Sequence, residues 1–311
     1  MAQNTFSVQR GNLTIKFSRY YRIDESQQHK LVRSLEMAWT CLSEAIKRLE
    51  SIRSHTNASA VPQSTKDILS FHFFQNNGYP RAINAHWVMD VAQIKRNFTK
   101  ILVGLRSPVA IADSYGTTVG RAWEEKRKSF EENLLSMVDM GLGAPTFDDY
   151  RQEIRKTVRA AEEAAKEVRG FVAPKSSTRD RLSEAQLGDF KSGKLAPRDA
   201  LKYRTDTPKM AVQLSSEDFG SIHLNFLRVL RTDNLPPSEL SIAQTIIHEA
   251  SHKFVGTHDF AYAGENGYSK LDRREAMLNA DSYALAAPSL ARDCLFKDGN
   301  HLTFEEFWAR Q

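Results

Sequence analysis

Five residues, His248-Glu249-Ala250-Ser251-His252, constrain this chain more than any other stretch. Around them Ile242, Ile246, Ala250 and Phe254 recur four apart, the spacing of one helix face. Two histidines at i and i+4 of a helix lie on the same side, one turn apart. Each then offers a ring nitrogen to one point in space, at the roughly 2.0–2.1 Å that a zinc ion keeps from imidazole. Glu249, one position further on, is turned away from that point but reaches a water beside it, where a carboxylate serves as general base. The helix is predicted to begin near Ser238 or Ser241, after the Pro236-Pro237 break, and Ser241 with Gln244 has capping-box spacing.

A catalytic zinc takes three protein ligands and leaves a fourth position open. Gly256 is placed to end the helix and turn the chain back, and Asp259 follows within Gly256-Thr257-His258-Asp259-Phe260-Ala261-Tyr262. Taken together, the two runs resemble the aspzincin metallopeptidases, the deuterolysin and peptidyl-Lys metallopeptidase group, whose signature pairs H-E-x-x-H with G-T-x-D-x-x-Y-G. Asn279-Ala280-Asp281-Ser282-Tyr283 is similar to the N-A-D-x-Y segment on the next helix of these enzymes, and the resemblance covers roughly 240–287.

The resemblance implies that His248, His252 and Asp259 hold one Zn²⁺ per chain, that Glu249 is the general base, and that Tyr262 donates a hydrogen bond to the developing oxyanion. It implies a mostly helical α+β fold, a zincin-like metallopeptidase domain with a small N-terminal or antiparallel sheet beside an active-site helix at about 240–255. The expected activity is that of a metalloendopeptidase acting on protein or peptide substrates. The chain departs from the family at Ala263, where a Gly is usual and Gly264 comes next, and it has no counterpart of the family's disulfides. Ala284 stands where Lys-cleaving members carry a second acidic side chain after Asp281, so strict Lys preference is not expected unless Glu265 or Asp272 supplies the charge.

Several of these residues have plainer uses. Asp259 could cap a turn. Glu275, 23 residues beyond His252, is the rival third ligand, because another zincin class places a Glu on a following helix; the intact Gly-Thr-x-Asp-x-x-Tyr run favours Asp259. Asp281 either orients a ligand histidine or contacts substrate, and Tyr262 could be a core aromatic. His258 reads as a bystander and His223 as a structural histidine on a strand.

Elsewhere the pattern is that of a packed domain. Leu13, Ile15 and Phe17 alternate with polar neighbours after a turn at Gly11-Asn12, which predicts a strand or hairpin. Leu31, Leu35, Ala38, Leu42, Ala45, Leu49 and Ile52 mark a long amphipathic helix from Ser26. Residues 53–120 mix aromatics with turn signals such as Asn76-Asn77-Gly78-Tyr79-Pro80 and predict only short elements, whereas 121–140 look helical. Tyr150, Ile154, Val158, Ala161, Ala165 and Val168 trace a further helix ending near Gly170, and 174–208 read as an exposed loop. Ser221 to Phe226 alternate like a strand. The division that follows is an N-terminal strand and helix part over 1–144, a charged insertion over 145–208, and a zinc-binding core over 209–311.

Composition limits the class. With 41% hydrophobic and 26% charged residues this is ordinary globular material, and no apolar run approaches the roughly 18 residues a membrane span needs. The formal charge of +5 sits in 151–204, where 14 Lys and Arg face 8 Asp and Glu. Mixed signs without interleaved aromatics describe a solvated face better than a nucleic-acid footprint. Cys41 and Cys294 are too few and too far apart for a disulfide framework. With no signal-peptide pattern at Met1–Arg10, the expected location is the cytoplasm, or outside it by an export route that reads no such peptide. Two other readings stay open: a basic binding or effector protein with a non-catalytic zinc site, and a zinc amidohydrolase acting on a non-protein amide.

Overall fold

The computed structural model describes residues 5–10, 13–18, 23–53, 60–74, 85–114, 122, 125–133, 147–166, 170–174, 219–230, 238–296 and 304–309. Five strands are β1 (Thr5–Arg10), β2 (Leu13–Ser18), β3 (Val109–Asp113), β4 (Gly170–Pro174) and β5 (Phe219–Leu224). The helices in chain order are α1 (Glu25–Arg53), α2 (Gln63–Phe73), α3 (Ala85–Arg106), α4 (125–133), α5 (Phe147–Lys166), α6 (Phe226–Leu230), α7 (Glu239–Val255), α8 (Arg273–Ala276), α9 (Ala280–Arg292) and α10 (Phe304–Ala309). The protein is therefore mostly helical α+β. Among the described residues no helix is long and apolar enough to cross a membrane.

The sheet corrects the expectation of an antiparallel one. Its order is β1-β2-β3-β5-β4, with the hairpin β1–β2 and the pair β5–β4 antiparallel, but β2, β3 and β5 run parallel through the centre. Ile15, Ile111 and Ile222 are opposed across those three strands and fully buried, so the parallel centre forms part of the core. Edge strand β4 lies inside the segment read as an insertion, yet it pairs with β5 and packs on α7. The turns at Gly11-Asn12, Asn76–Pro80 and Pro236-Pro237, and nearly all of 174–208, lie outside the described residues.

The core is built on α1. All seven of its stripe residues, Leu31 through Ile52, are buried at 0–1% exposure. Each Leu or Ile withdrawn from water contributes about 1.5–3 kcal/mol, so this one face anchors the helix over its full 29 residues. Around it pack α3, α7 and α9. The 22-residue α3 is a second correction, since only short elements were expected in 53–120. Its Trp87, Val91, Ile94, Phe98, Ile101 and Leu105 are buried at helical spacing. At Gly104 the backbone of α3 passes so close to α7 that a Cβ there would fall 2.5 Å from the Phe254 ring. Helix α7 is thus held by α1, α3 and α9 and by strands β4 and β5.

Candidate metal centre

Both ends of α7 are defined by its own sequence. Ser238 is the N-cap: its Oγ accepts from Ser241 N at 3.1 Å, so the helix starts at the first of the two sites expected, and Ser241 is donor rather than cap. At the other end Gly256 adopts φ 79°, a left-handed conformation that favours glycine, and its N–H donates to Ser251 O and His252 O. That reversal carries the chain back over the last turn of α7. Ser251 Oγ donates to His248 O at 2.7 Å and lies 2.7 Å from Thr257 Oγ1, tying the returning strand to the helix.

The returning loop brings Asp259 to the histidines. His248 Nε2 and Asp259 Oδ1 are 3.0 Å apart, His252 Nε2 and Asp259 Oδ1 3.2 Å, and the two Nε2 atoms 3.1 Å. A tetrahedral ion at about 2.0–2.1 Å from each donor needs donor–donor edges of roughly 3.3 Å, so this nearly equilateral triangle has the size of one tetrahedral face. Among the described residues it is the group of side chains that could hold a metal ion.

The outward nitrogens settle what the inner ones present. His252 Nδ1 lies 2.9 Å from Thr257 O, a carbonyl that only accepts, so Nδ1 carries a proton and, in the neutral ring, Nε2 is the nitrogen left with a lone pair. His248 Nδ1 makes the same choice against Asp281 Oδ1 at 2.7 Å. Asp259 Oδ1 completes the set, with no donor aligned on it among the described residues. In that tautomer three electron-rich atoms converge at 3.0–3.2 Å, which is unfavourable unless positive charge, a metal ion or ring protons, lies between them. The electrostatics agree. Burial alone would lower the pKa of both rings, but Asp259, joined at His248 by Asp281, raises both, His248 well above its ordinary value. Burial would raise Asp259, and the two rings overcome it and hold the carboxyl far below the usual carboxylate range.

Glu249 follows His248 on α7 and feels the charges of His248, His252 and Asp259. It is 4% exposed, and its Oε2 has no hydrogen-bond partner among the described residues. Burial, the largest influence, pushes its carboxyl up to about 7. Strand β4 forms the wall beside it: a Cβ on Gly170 would fall 2.7 Å from Glu249 Oε1. Tyr262 lies over His248, ring centroids 6.1 Å apart and planes 14° from parallel, with nearly half its surface exposed. Burial first, then the carboxylates Asp259, Asp281 and Glu249, raise its pKa, so the phenol keeps its proton.

Asp281 commits both oxygens within the chain, Oδ1 to His248 Nδ1 and Oδ2 to Ala263 N at 2.7 Å each. That engagement favours the orienting role over a substrate contact. Glu275 is not part of the triangle; it closes a capping box with Asp272 at the start of α8. His258 sits in a parallel bridge to Asn279, and His223 on β5 opposite Ala112 and Phe171. After Tyr262 the chain turns at Gly264, which takes φ 89°, while Ala263 supplies the N–H to Asp281.

Two contributors escaped sequence reasoning. Asn279, fully buried, accepts from Phe260 N at 3.0 Å and Ala261 N at 3.3 Å and donates to Ala261 O at 3.0 Å, clamping the loop just past Asp259. Its place beside Asp281 was visible, its use was not. Gly170 gave no signal at all, because its partner Glu249 is remote in sequence. Comparisons of the chain with protein-family models, curated proteins and solved structures find no match.

Proposed function

We propose that this chain is a zinc-dependent endopeptidase with a zincin-like catalytic domain. The observation that carries the reading is the convergence of His248 Nε2, His252 Nε2 and Asp259 Oδ1 at 3.0–3.2 Å with both Nδ1 atoms engaged elsewhere. Two imidazoles and one carboxylate make the borderline donor set that suits zinc, and three such ligands leave a fourth position for reactants.

Zinc, which His248, His252 and Asp259 would hold, would supply a Lewis acid for an amide carbonyl and lower towards neutrality the pKa at which water loses a proton. Glu249, with a buried and unpartnered Oε2, accepts that proton and returns it to the departing amine. Tyr262 keeps its phenolic proton and donates it as a hydrogen bond to the oxyanion that replaces the carbonyl. Asp281 and Thr257 O keep the two rings in the tautomer that ligates.

The test combines metal content with turnover. Protein refolded or expressed with zinc should contain one ion per chain by elemental analysis and cut an unfolded polypeptide, and Glu249→Gln should keep the ion and lose the cutting. Metal-free protein, or Glu249→Gln protein that cuts as before, would sink the proposal.

A further inference from the structure

Among the described residues four large hydrophobic side chains stand exposed, and two of them, Phe260 at 45% and Tyr262 at 47%, fall within three positions of Asp259. The other two, Met89 and Val103, lie apart on α3. Phe260 does not owe its exposure to a loose backbone. Its N–H is held by Asn279 Oδ1, the next residue is clamped at both N–H and carbonyl by the same side chain, and its ring rests 5.2 Å from that of His258. An aromatic ring kept in water on a fixed loop gives up burial free energy that a ligand recovers on covering it.

The carboxylates nearby that could instead attract a cationic side chain are each held in place by hydrogen bonds within the chain. Glu265 Oε2 accepts from Tyr262 N, Asp272 and Glu275 cap each other's backbone at α8, and Asp281 is spent on His248 and Ala263. Ala284, on the helix that carries Asp281, is 3% exposed and packed in the interior. What this loop offers to a ligand is aromatic surface.

We infer that Phe260 forms the wall of an apolar subsite that selects a hydrophobic side chain, Phe or Leu in kind, flanking the peptide bond presented to the metal centre. The inference rests on the peptidase reading for taking the ligand to be a peptide. Covering about half of an aromatic ring makes the selection about tenfold over a small or charged residue at that position.

The test uses the full-length, zinc-loaded Glu249→Gln protein and fluorescently labelled heptapeptides that differ at one central residue: Phe or Leu in one set, Lys, Asp or Gly in the other. Fluorescence anisotropy should give dissociation constants about tenfold lower for the first set. Phe260→Ser should bring the two sets together with zinc content unchanged, and Phe260→Leu should restore the preference. Equal binding of both sets, binding of neither, or a preference that survives Phe260→Ser would overturn the inference. The protein with Glu249 intact separates it from the parent reading: apolar preference in binding with no product released would keep the subsite and remove the peptidase.

Discussion

The carboxylate of Asp281 joins His248 to the loop that follows Tyr262: one oxygen accepts the Nδ1 proton of His248 and the other the N–H of Ala263, each at 2.7 Å. One side chain at the start of α9 therefore fixes the ring of His248 on α7 and the course of the loop carrying Asp259 and Tyr262. Asp281→Ala should weaken zinc binding by about 10–100-fold, the usual cost of losing such an outer partner. Competition with a chromophoric chelator measures it. An unchanged affinity would show that the His248 tautomer does not depend on Asp281.

Gly170 offers a cleaner separation of metal from base. A methyl group there would enter the space of the Glu249 carboxylate, 2.7 Å from Oε1, and the atoms nearest to it all belong to Glu249. Gly170→Ala should leave zinc content intact and lower kcat by on the order of 10–100-fold, the scale of a base displaced by about an ångström. Single-turnover hydrolysis of a quenched peptide reads it. A variant as fast as the parent would mean that Glu249 has room to yield.

His72 makes a prediction about acid. It is fully buried on α2, between Tyr268 Oη at 2.8 Å from Nδ1 and Ser289 Oγ at 3.4 Å from Nε2, and burial lowers its pKa to about 3. In the unfolded chain the ring protonates near the ordinary histidine value of 6.5. Between those two values the unfolded state binds the extra proton, so stability is present above the upper one and lost as pH falls towards the lower. The sign would reverse had the pKa been raised. His72→Gln, which does not titrate, should melt with a flatter pH dependence across that window, the parent losing a few kcal/mol relative to the variant between about pH 6 and 4. Parallel pH profiles would show that His72 is not what acid attacks.

What the sequence made legible was whatever is encoded locally. Helix α7, its Ser238 start, its Gly256 stop and the i, i+4 histidines are all written within twenty residues, and the α1 stripe within thirty. The sheet was not legible in this way. Strands β2, β3 and β5 pair in parallel from positions near 15, 111 and 222, and nothing in the alternation of one strand names a partner a hundred residues away. Helix α3 was masked by turn residues at 76–80 just before it, although Trp87, Val91, Ile94 and Phe98 carry the helical period. Glu275 had a readable signal that was passed over: Asp272 three positions earlier, the spacing of a cap rather than of a ligand.

That contrast between Asp259 and Glu275 yields the last prediction. Zinc that binds the folded protein and not the unfolded chain stabilises it by mass action, about 2.7 kcal/mol when free zinc stands at 100 times the dissociation constant. For a chain of this size that is a rise in Tm of roughly 4 °C. Asp259→Ala removes one of three donors that lie 3.0–3.2 Å apart, and leaves two histidines that no longer define a tetrahedral face. Its Tm should not respond to zinc in that range. Glu275→Ala instead loses a hydrogen bond to Asp272 N at 2.9 Å, which costs about 0.5–2 kcal/mol of cap free energy and lowers Tm by a few degrees in either condition. The zinc-dependent rise should remain in full. Scanning calorimetry of the parent and both variants, each with a strong chelator and with buffered zinc, distinguishes the two carboxylates. A shift retained in Asp259→Ala and lost in Glu275→Ala would transfer the third ligand to α8 and dismantle the triangle on which the metal centre is built.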